Sequence, residues 1–448
     1  MLGWQPRRNV AVRGWLVAVL VYFAAVFNRA SLGVAGLQAQ HRFGISPGQL
    51  STFVLLQLGV YAAMQVPTGV LVDRYGPRRL LLTSAALMGA AQLIFAAAPS
   101  YPMALTARAL LGCGDAMAFI SVLRYAAGQF APRRYPVVVA LTGMAGAAGN
   151  VLATVPLSAA LAHLGWAPAF VGAGVVTLLT GALVFVELPR PARFETPELT
   201  VAQMRARVAR VFGRMREAWQ LPGTRVGFWL HFDCMGATTT FGVLWGVPYL
   251  IDGAGFSRAS ASAVLLLSVV VTVVASPLIG WATARWPLVR IPLAISVCVA
   301  TTGGWIAMLA LSRPPQGMLI VLVAVMVIGG PASAIGFALA RDYNGASTLG
   351  TATGVVNVGG FVAAVLTSMA VGVLLDAVGT TVDGYRVAMA ALPAVQLLGL
   401  IQLVRWWRRA RHRVLEHLAR GEHAPVRIVR RRWDLAERSG PTAGTGGH

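Results

Sequence analysis

Long apolar runs, separated by short polar or charged segments, make up most of this chain. A run of about 20 apolar residues lets an α-helix cross a bilayer, because the helix satisfies its own backbone hydrogen bonds where no water is present. The pattern therefore predicts an all-α membrane protein with twelve transmembrane helices. The expected spans are 14–36, 49–72, 80–98, 103–123, 137–160, 167–187, 227–250, 262–284, 291–311, 318–340, 351–374 and 387–404.

An internal repeat relates the two halves of the sequence. A shift of 211 positions places Arg74 on Arg285 and Thr142 on Thr353. A repeat of this kind predicts two pseudo-symmetric six-helix halves that move about a central site. We expect four regions: an N-terminal bundle at 1–187, a cytoplasmic linker with an amphipathic helix at 188–225, a C-terminal bundle at 226–404 and a basic cytoplasmic tail at 405–448.

Composition excludes a soluble protein, since 57% of residues are hydrophobic, 12% are charged and the mean hydropathy is +0.68. The net charge of +22 comes from 37 arginines, with no lysine. Of these, 31 lie in alternate segments that include both termini, and four lie in the other loops. This asymmetry predicts cytoplasmic termini for a multi-pass protein, and the abundance of Arg, Ala and Gly suggests a bacterial cytoplasmic membrane.

Outside the spans, the sequence predicts a tail at the membrane surface and indicates no enzymatic site. Trp406 and Trp407 begin an arginine-rich tail that suits a membrane surface with anionic lipids, and we expect no nucleic-acid partner. We find no paired carboxylates, metal-spaced ligands or phosphate loop in a context that would indicate an enzyme. The sequence therefore predicts a monomeric non-enzyme without a cofactor or a metal.

A motif after span 2 identifies a family. The chain reads GVLVDRYGPRR from residue 69, which resembles the signature loop G-x-L-x-D-R-x-G-R-R of the major facilitator superfamily. The resemblance implies alternating access and a latch that holds the outward-open state. Its glycine would let span 2 approach a neighbouring helix, and its acid can sit at a helix N-terminus. The predicted gating residues are Gly69, Asp73, Arg74, Gly76, Arg78 and Arg79.

Five Arg, Asp or His residues lie inside the predicted spans, away from the span ends: Arg29, Arg108, Asp115, His231 and Asp233. A charge at the bilayer centre costs at least about 2.5–3.5 kcal/mol, so these residues are functional candidates. The 211-residue shift matches the first three with uncharged residues, so the repeated scaffold does not need them. Two arginines and one acid leave this region net positive, which favours an anionic substrate held by guanidinium groups.

The segment FNRASL, which contains Arg29, resembles the span 1 pattern of the anion:cation symporter branch of this superfamily. That branch also has an arginine and an acid seven residues apart in span 4, as Arg108 and Asp115 are here. The resemblance implies that the two arginines hold the anion and that Asp115 carries the coupling proton. The acid that usually precedes the span 1 arginine is Asn28 here, and Asp233 is the candidate replacement proton carrier.

Tyr61, Trp245 and Asn357 complete the predicted substrate site with Arg29, Arg108 and Asn28. Simpler alternatives are that the arginines bond to helix carbonyls, that Asp115 neutralises Arg108, and that the aromatic residues pack in the core. The predicted function is proton-coupled uptake of a small organic anion. The alternatives are proton-coupled efflux of drugs or metabolites and a non-transporting solute sensor.

Overall fold

The computed structural model describes residues 5–130, 135–188, 201–311, 314–343 and 349–421. These residues form fourteen α-helices of eight residues or more and no strand. The helices are α1 Gln5–Phe43, α2 Pro47–Ala97, α3 Tyr101–Gln129, α4 Tyr135–His163, α5 Trp166–Glu187, α6 Val201–Gln220, α7 Pro222–Thr240, α8 Arg258–Arg285, α9 Arg290–Leu309, α10 Gln316–Val327, α11 Gly329–Tyr343, α12 Leu349–Val378, α13 Val382–Met389 and α14 Ala391–Ala419.

Helix α2 contains two spans. Its 51 residues would extend about 76 Å at 1.5 Å per residue, which is far more than a bilayer requires. Gly76 interrupts the helical backbone with φ 77° and ψ 161°, a conformation that glycine adopts without steric cost. The break separates a span at 47–75 from one at 77–97, and it falls inside the predicted gating motif.

The twelve-span prediction is confirmed. Within the described ranges, eleven helical segments are long and apolar enough to cross a membrane, and 47–75 supplies the twelfth. Two of the eleven join consecutive helices, namely α10 with α11 and α13 with α14. Span 7 continues beyond α7 through π-helical turns at Phe241–Trp245 and Tyr249–Gly253. Helix α6 lies in the predicted linker, of which 189–200 fall outside the described residues.

The two halves meet at the end of the bundle where α1 ends and α2 begins, which we call the far end. There α1 approaches span 7 so closely that a methyl group on Gly33 would lie 2.6 Å from the Gly242 carbonyl oxygen. The Ser51 hydroxyl in α2 donates to the Ser368 carbonyl in α12 at 2.7 Å. The far end, predicted to be extracellular, is therefore closed in this conformation.

Candidate functional site

An ion pair joins α1 to α3 inside the N-terminal half. Arg29 Nε donates to Asp115 Oδ2 at 2.7 Å, and Nη2 donates to Oδ1 at 2.7 Å. Asp115 is buried, so this two-pronged contact neutralises a carboxylate that water does not reach. The alternative that Asp115 neutralises Arg108 is wrong in this conformation. The two residues lie two turns apart on one helix, whereas Arg29 reaches Asp115 directly from α1.

Tyr61 of α2 connects this ion pair to the other half. The guanidinium carbon of Arg29 lies 4.7 Å from the centre of the Tyr61 ring, within the range of a cation–π contact. The same ring lies 4.7 Å from the ring of Phe361 in α12. Tyr61 therefore contacts both the predicted anion-binding arginine and the C-terminal half.

Arg108 of α3 has no exposed surface and no carboxylate partner among the residues that the structure describes. Its guanidinium carbon stacks 3.9 Å from the centre of the Phe95 ring. Nη1 makes long contacts of 3.4 Å to the Ser31 hydroxyl and 3.5 Å to Gln57 Oε1. Nε and Nη2 have no hydrogen-bond partner in the described part of the chain. Within the described chain, this buried cation therefore has no counter-ion.

Gln57 lies beside Arg108, although nothing in the sequence pattern singles it out. Its Nε2 is buried without a partner in the described chain, like Nε and Nη2 of Arg108. Close packing of α2 on α3 brings the two residues together, since a methyl group on Gly112 would lie 2.4 Å from the Gln57 carbonyl oxygen. All three unpartnered atoms are donors, and an unsatisfied buried donor costs about 1–3 kcal/mol. A hydrogen-bond acceptor would satisfy these atoms, and a negatively charged one would also neutralise Arg108.

Asn28, the neighbour of Arg29, forms hydrogen bonds to two other helices of the N-terminal half. Its Nδ2 donates to the Thr177 hydroxyl at 2.9 Å, and its Oδ1 accepts from Gln92 Nε2 at 2.8 Å. These bonds tie α1 to α5 and to the second span of α2. Both the nitrogen and the oxygen of the Asn28 amide thus have protein partners in this conformation, and the geometry favours a packing role over the predicted substrate contact.

Two residues of the predicted substrate site, Trp245 and Asn357, lie in the C-terminal half. Trp245 is fully buried, and its indole Nε1 donates to the Ser368 carbonyl at 3.0 Å. Asn357 is half-buried in α12. The indole therefore holds span 7 against α12 in this conformation.

Asp233 and His231 point to different neighbours. Asp233 is buried against α14, where a methyl group on Gly399 would lie 3.2 Å from its Cβ, and neither carboxylate oxygen has a hydrogen-bond partner among described residues. His231 Nδ1 lies 3.2 Å from the Ser333 carbonyl oxygen in α11. The described contacts of Asp233 do not include Arg29 or Asp115.

One arginine of the predicted gating motif, Arg78, forms hydrogen bonds to the end of another helix of the N-terminal half. Arg78 Nε donates to the Leu188 carbonyl at 2.8 Å, and Nη2 donates to the Phe185 carbonyl at 2.9 Å. These carbonyls lie at the C-terminal end of α5, where a helix lacks internal donors and favours a cation. Arg78 thus joins the loop after span 2 to the end of span 6.

The other gating residues make fewer described contacts. The Arg74 guanidinium carbon lies 4.9 Å from the Tyr75 ring, and Arg79 is exposed. The predicted close approach at Gly69 is absent in this conformation, because a methyl group there would meet no atom of the described residues within 4 Å. The side chain of Asp73 lies outside the described residues.

Comparison with known proteins identifies the family. The family model described as Major Facilitator Superfamily matches residues 18–257 and, in a second match, residues 227–440. The chain belongs to the Major Facilitator Superfamily. Two matches along one chain agree with the internal repeat. The Spinster homologue of a bacterium, solved in an inward-facing and occupied conformation, has the same fold, with a TM-score of 0.72 at 15% identity over 91% of this chain and 98% of that one.

Two relatives in this superfamily are named as carriers of organic acids. A probable sulfoacetate transporter of Cupriavidus necator is 24% identical over 387 residues, which cover 84% of this chain and 90% of the relative. A probable galactarate/D-glucarate transporter of Escherichia coli is 23% identical over 430 residues, which cover 89% of this chain and 94% of the relative. The chain is thus a multi-pass membrane transporter and not an enzyme, and the anion:cation symporter resemblance agrees with these relatives.

Replacing Asn28 with alanine tests its packing role in this transporter. We expect the free energy of unfolding to fall by about 1–3 kcal/mol, because the Thr177 and Gln92 side chains would lose buried partners. The affinity for a transported anion should change less than threefold. Thermal unfolding and equilibrium binding on the purified protein measure both quantities. A large loss of affinity at unchanged stability would instead make Asn28 a substrate ligand.

Proposed function

We propose that this transporter moves a small organic anion together with a proton by alternating access. The observation that carries the proposal is the Arg108 guanidinium, which is buried without a counter-ion in the described chain and lies beside the unpartnered Nε2 of Gln57. Burying an unpaired charge is costly, and a bound carboxylate or sulfonate would offset that cost through charge-assisted hydrogen bonds. The substrates for which the two relatives are named support an organic acid as the substrate class.

Access to Arg108 requires movement of the halves. Its contacts Ser31, Gln57 and Phe95 lie toward the far end of their spans, and that end is closed in this conformation. Opening the far end would uncover the guanidinium, and the Phe95 ring would keep it oriented. The proposal therefore places loading of the anion in the state that is open at the far end.

Asp115 supplies the coupling. While ionised, its carboxylate holds the Arg29 guanidinium in two hydrogen bonds. A proton on Asp115 removes the negative charge, and Arg29 can then turn to the anion beside Arg108. One proton and one monovalent anion add no net charge to the buried site, so the pair enters at a lower electrostatic cost than either partner alone.

Exchange of radiolabelled solutes in proteoliposomes tests the substrate class. The panel pairs sulfonates, monocarboxylates and sugar acids with their uncharged methyl esters or amides, which keep the shape and lose the charge. We expect exchange of at least one acid and none of its neutral partner. Exchange of neutral or cationic compounds with no exchange of any acid would refute the anion proposal.

Two arginines near Trp406 are the candidates for the predicted contact with anionic lipid. The Arg225 guanidinium carbon lies 4.1 Å from the Trp406 ring centre, and that of Arg409 lies 4.6 Å from it. Arg225 Nε is held by the Trp219 carbonyl at 2.6 Å. In the described residues, no carboxylate pairs with Arg225 or Arg409. We propose that the phosphate of an anionic phospholipid lies between them, at the membrane surface on the side of the termini.

Thermal unfolding in detergent with added lipid tests this site. Phosphatidylglycerol should raise the melting temperature more than phosphatidylcholine does, and the difference should vanish in the double variant Arg225→Ala, Arg409→Ala. Arg258→Ala, at an exposed arginine of the far end, is the matched control and should keep the difference. An equal effect of inorganic phosphate, or a response unchanged in the double variant, would exclude a lipid site here.

A further inference from the structure

A carboxylate of the C-terminal half caps a helix of the N-terminal half at the far end. Asp376, near the end of α12, accepts from the Gly48 backbone N–H at 3.0 Å through Oδ1. Its Oδ2 accepts from the Ser46 hydroxyl at 2.9 Å. Ser46 is the N-cap of α2, so all of these bonds gather at the first turn of that helix. They join the two halves directly.

The chemistry of a helix N-terminus explains why an acid suits this position. The first backbone N–H groups of α2 have no carbonyl partner within the helix, and the helix dipole makes this end positive. A carboxylate satisfies the N–H of Gly48 and is attracted by the dipole. Both halves supply part of the contact, so it exists only when the far end is closed.

Glycine on each side lets the backbones come this close. A methyl group on Gly48 would lie 2.2 Å from Asp376 Oδ2, and one on Gly372 would lie 2.7 Å from the Pro47 carbonyl oxygen. The bond from Ser51 to Ser368 continues the contact one turn further along α2. The two halves therefore pack closely at this interface, with no room for a side chain at either glycine.

We infer that Asp376 is a gating residue that holds the far end closed by capping α2. Helix α2 also carries Gln57, which contacts Arg108, so release of the cap frees the half that holds Arg108 to separate from α12 and opens a path toward the guanidinium. This last step rests on the proposed function. The closing role of Asp376 does not, because it concerns the distance between the halves without any substrate.

Electron–electron spin distance measurement across the far end tests the inference. Spin labels are placed at Ser100 and Thr380, which are exposed on opposite halves, in full-length protein whose three cysteines are replaced by alanine. Asp376→Ala should shift the distribution toward long distances, with the ratio of open to closed populations rising about tenfold, as expected for loss of hydrogen bonds to a charged group. Asp376→Glu, which keeps the charge, should restore much of the closed population.

Matched variants separate gating from a general surface effect. Asp383→Ala removes an exposed acid from the same half and the same end, where it pairs with Arg386 at 3.8 Å, and should leave the distances unchanged. Gly48→Ala should open the far end by displacing the carboxylate, and should add little to Asp376→Ala. Asp376→Asn, which keeps the size of the side chain, serves if the alanine variant folds poorly. Distances in Asp376→Ala and Asp376→Asn equal to those in Asp383→Ala would overturn the inference, whatever the transport assays show.

Discussion

Replacing Arg108 with methionine is expected to abolish anion transport and, at the same time, to stabilise the protein. The guanidinium is buried, stacked on Phe95 and without a counter-ion in the described chain, so the empty transporter bears its desolvation cost. Methionine fills a similar volume without a charge, and even buried ion pairs, whose charges are compensated, have been exchanged for apolar residues with a gain of about 1–4 kcal/mol in stability. Anion affinity should fall at least about 100-fold, because charge-assisted bonds are lost. Thermal unfolding and binding are measured on the same sample.

Arg29→Met is the control for this prediction. It leaves Asp115 buried without its arginine, and breaking a buried pair from one side costs about 3–5 kcal/mol. Both variants should lose transport, but their stabilities should move in opposite directions. If Arg108→Met destabilised the protein as Arg29→Met does, Arg108 would be a structural residue and the anion site would lie elsewhere.

The second large effect is expected from Asp115→Asn, which should abolish proton-driven accumulation and keep exchange of the anion. Asparagine carries neither the negative charge nor a titrating proton, so Arg29 stays available at every pH. In the wild type, affinity should fall as pH rises, because deprotonated Asp115 recaptures Arg29; in the variant it should not vary with pH. The expected difference at high pH is about 10- to 100-fold, as for loss of charge-assisted bonds. Binding across a pH series measures it.

Asp233→Asn is the matched comparison, because this acid is also buried in a span but packs against α14 without contacting the arginines of the N-terminal half. If the proton is carried by Asp115 as proposed, accumulation should persist in Asp233→Asn. If accumulation were lost in Asp233→Asn and kept in Asp115→Asn, the proton would travel through the C-terminal half instead.

The sequence was sufficient to predict the spans because the ability of a segment to cross a membrane depends on its own length and hydrophobicity. An apolar run of sufficient length must be a helix in lipid, whatever its neighbours are. Gly76 shows the limit of this reasoning. The motif placed it at a turn between spans, but only the backbone shows that it separates two helices that otherwise run together.

The charged residues of the candidate site could be predicted from the sequence, but the partner of each residue could not. Arg29, Arg108 and Asp115 stand out because ionised groups are expensive in a bilayer. Which arginine meets Asp115 depends on how α1 packs on α3, and no spacing within one helix contains that information. Gln57 is an ordinary polar residue in its span until packing brings it to Arg108. Asp376 is exposed at the far end, where an acid has no desolvation cost and therefore does not stand out in the sequence.

Uptake of a radiolabelled organic acid into proteoliposomes under imposed pH gradients tests the central claim most directly. If Arg108 binds the anion and Asp115 carries its proton, the acid accumulates when the exterior is more acidic and does not when the interior is, and both Arg108→Met and Asp115→Asn lose the accumulation. Accumulation driven only by an acidic interior, or uptake by Arg108→Met at the wild-type level, would contradict this account.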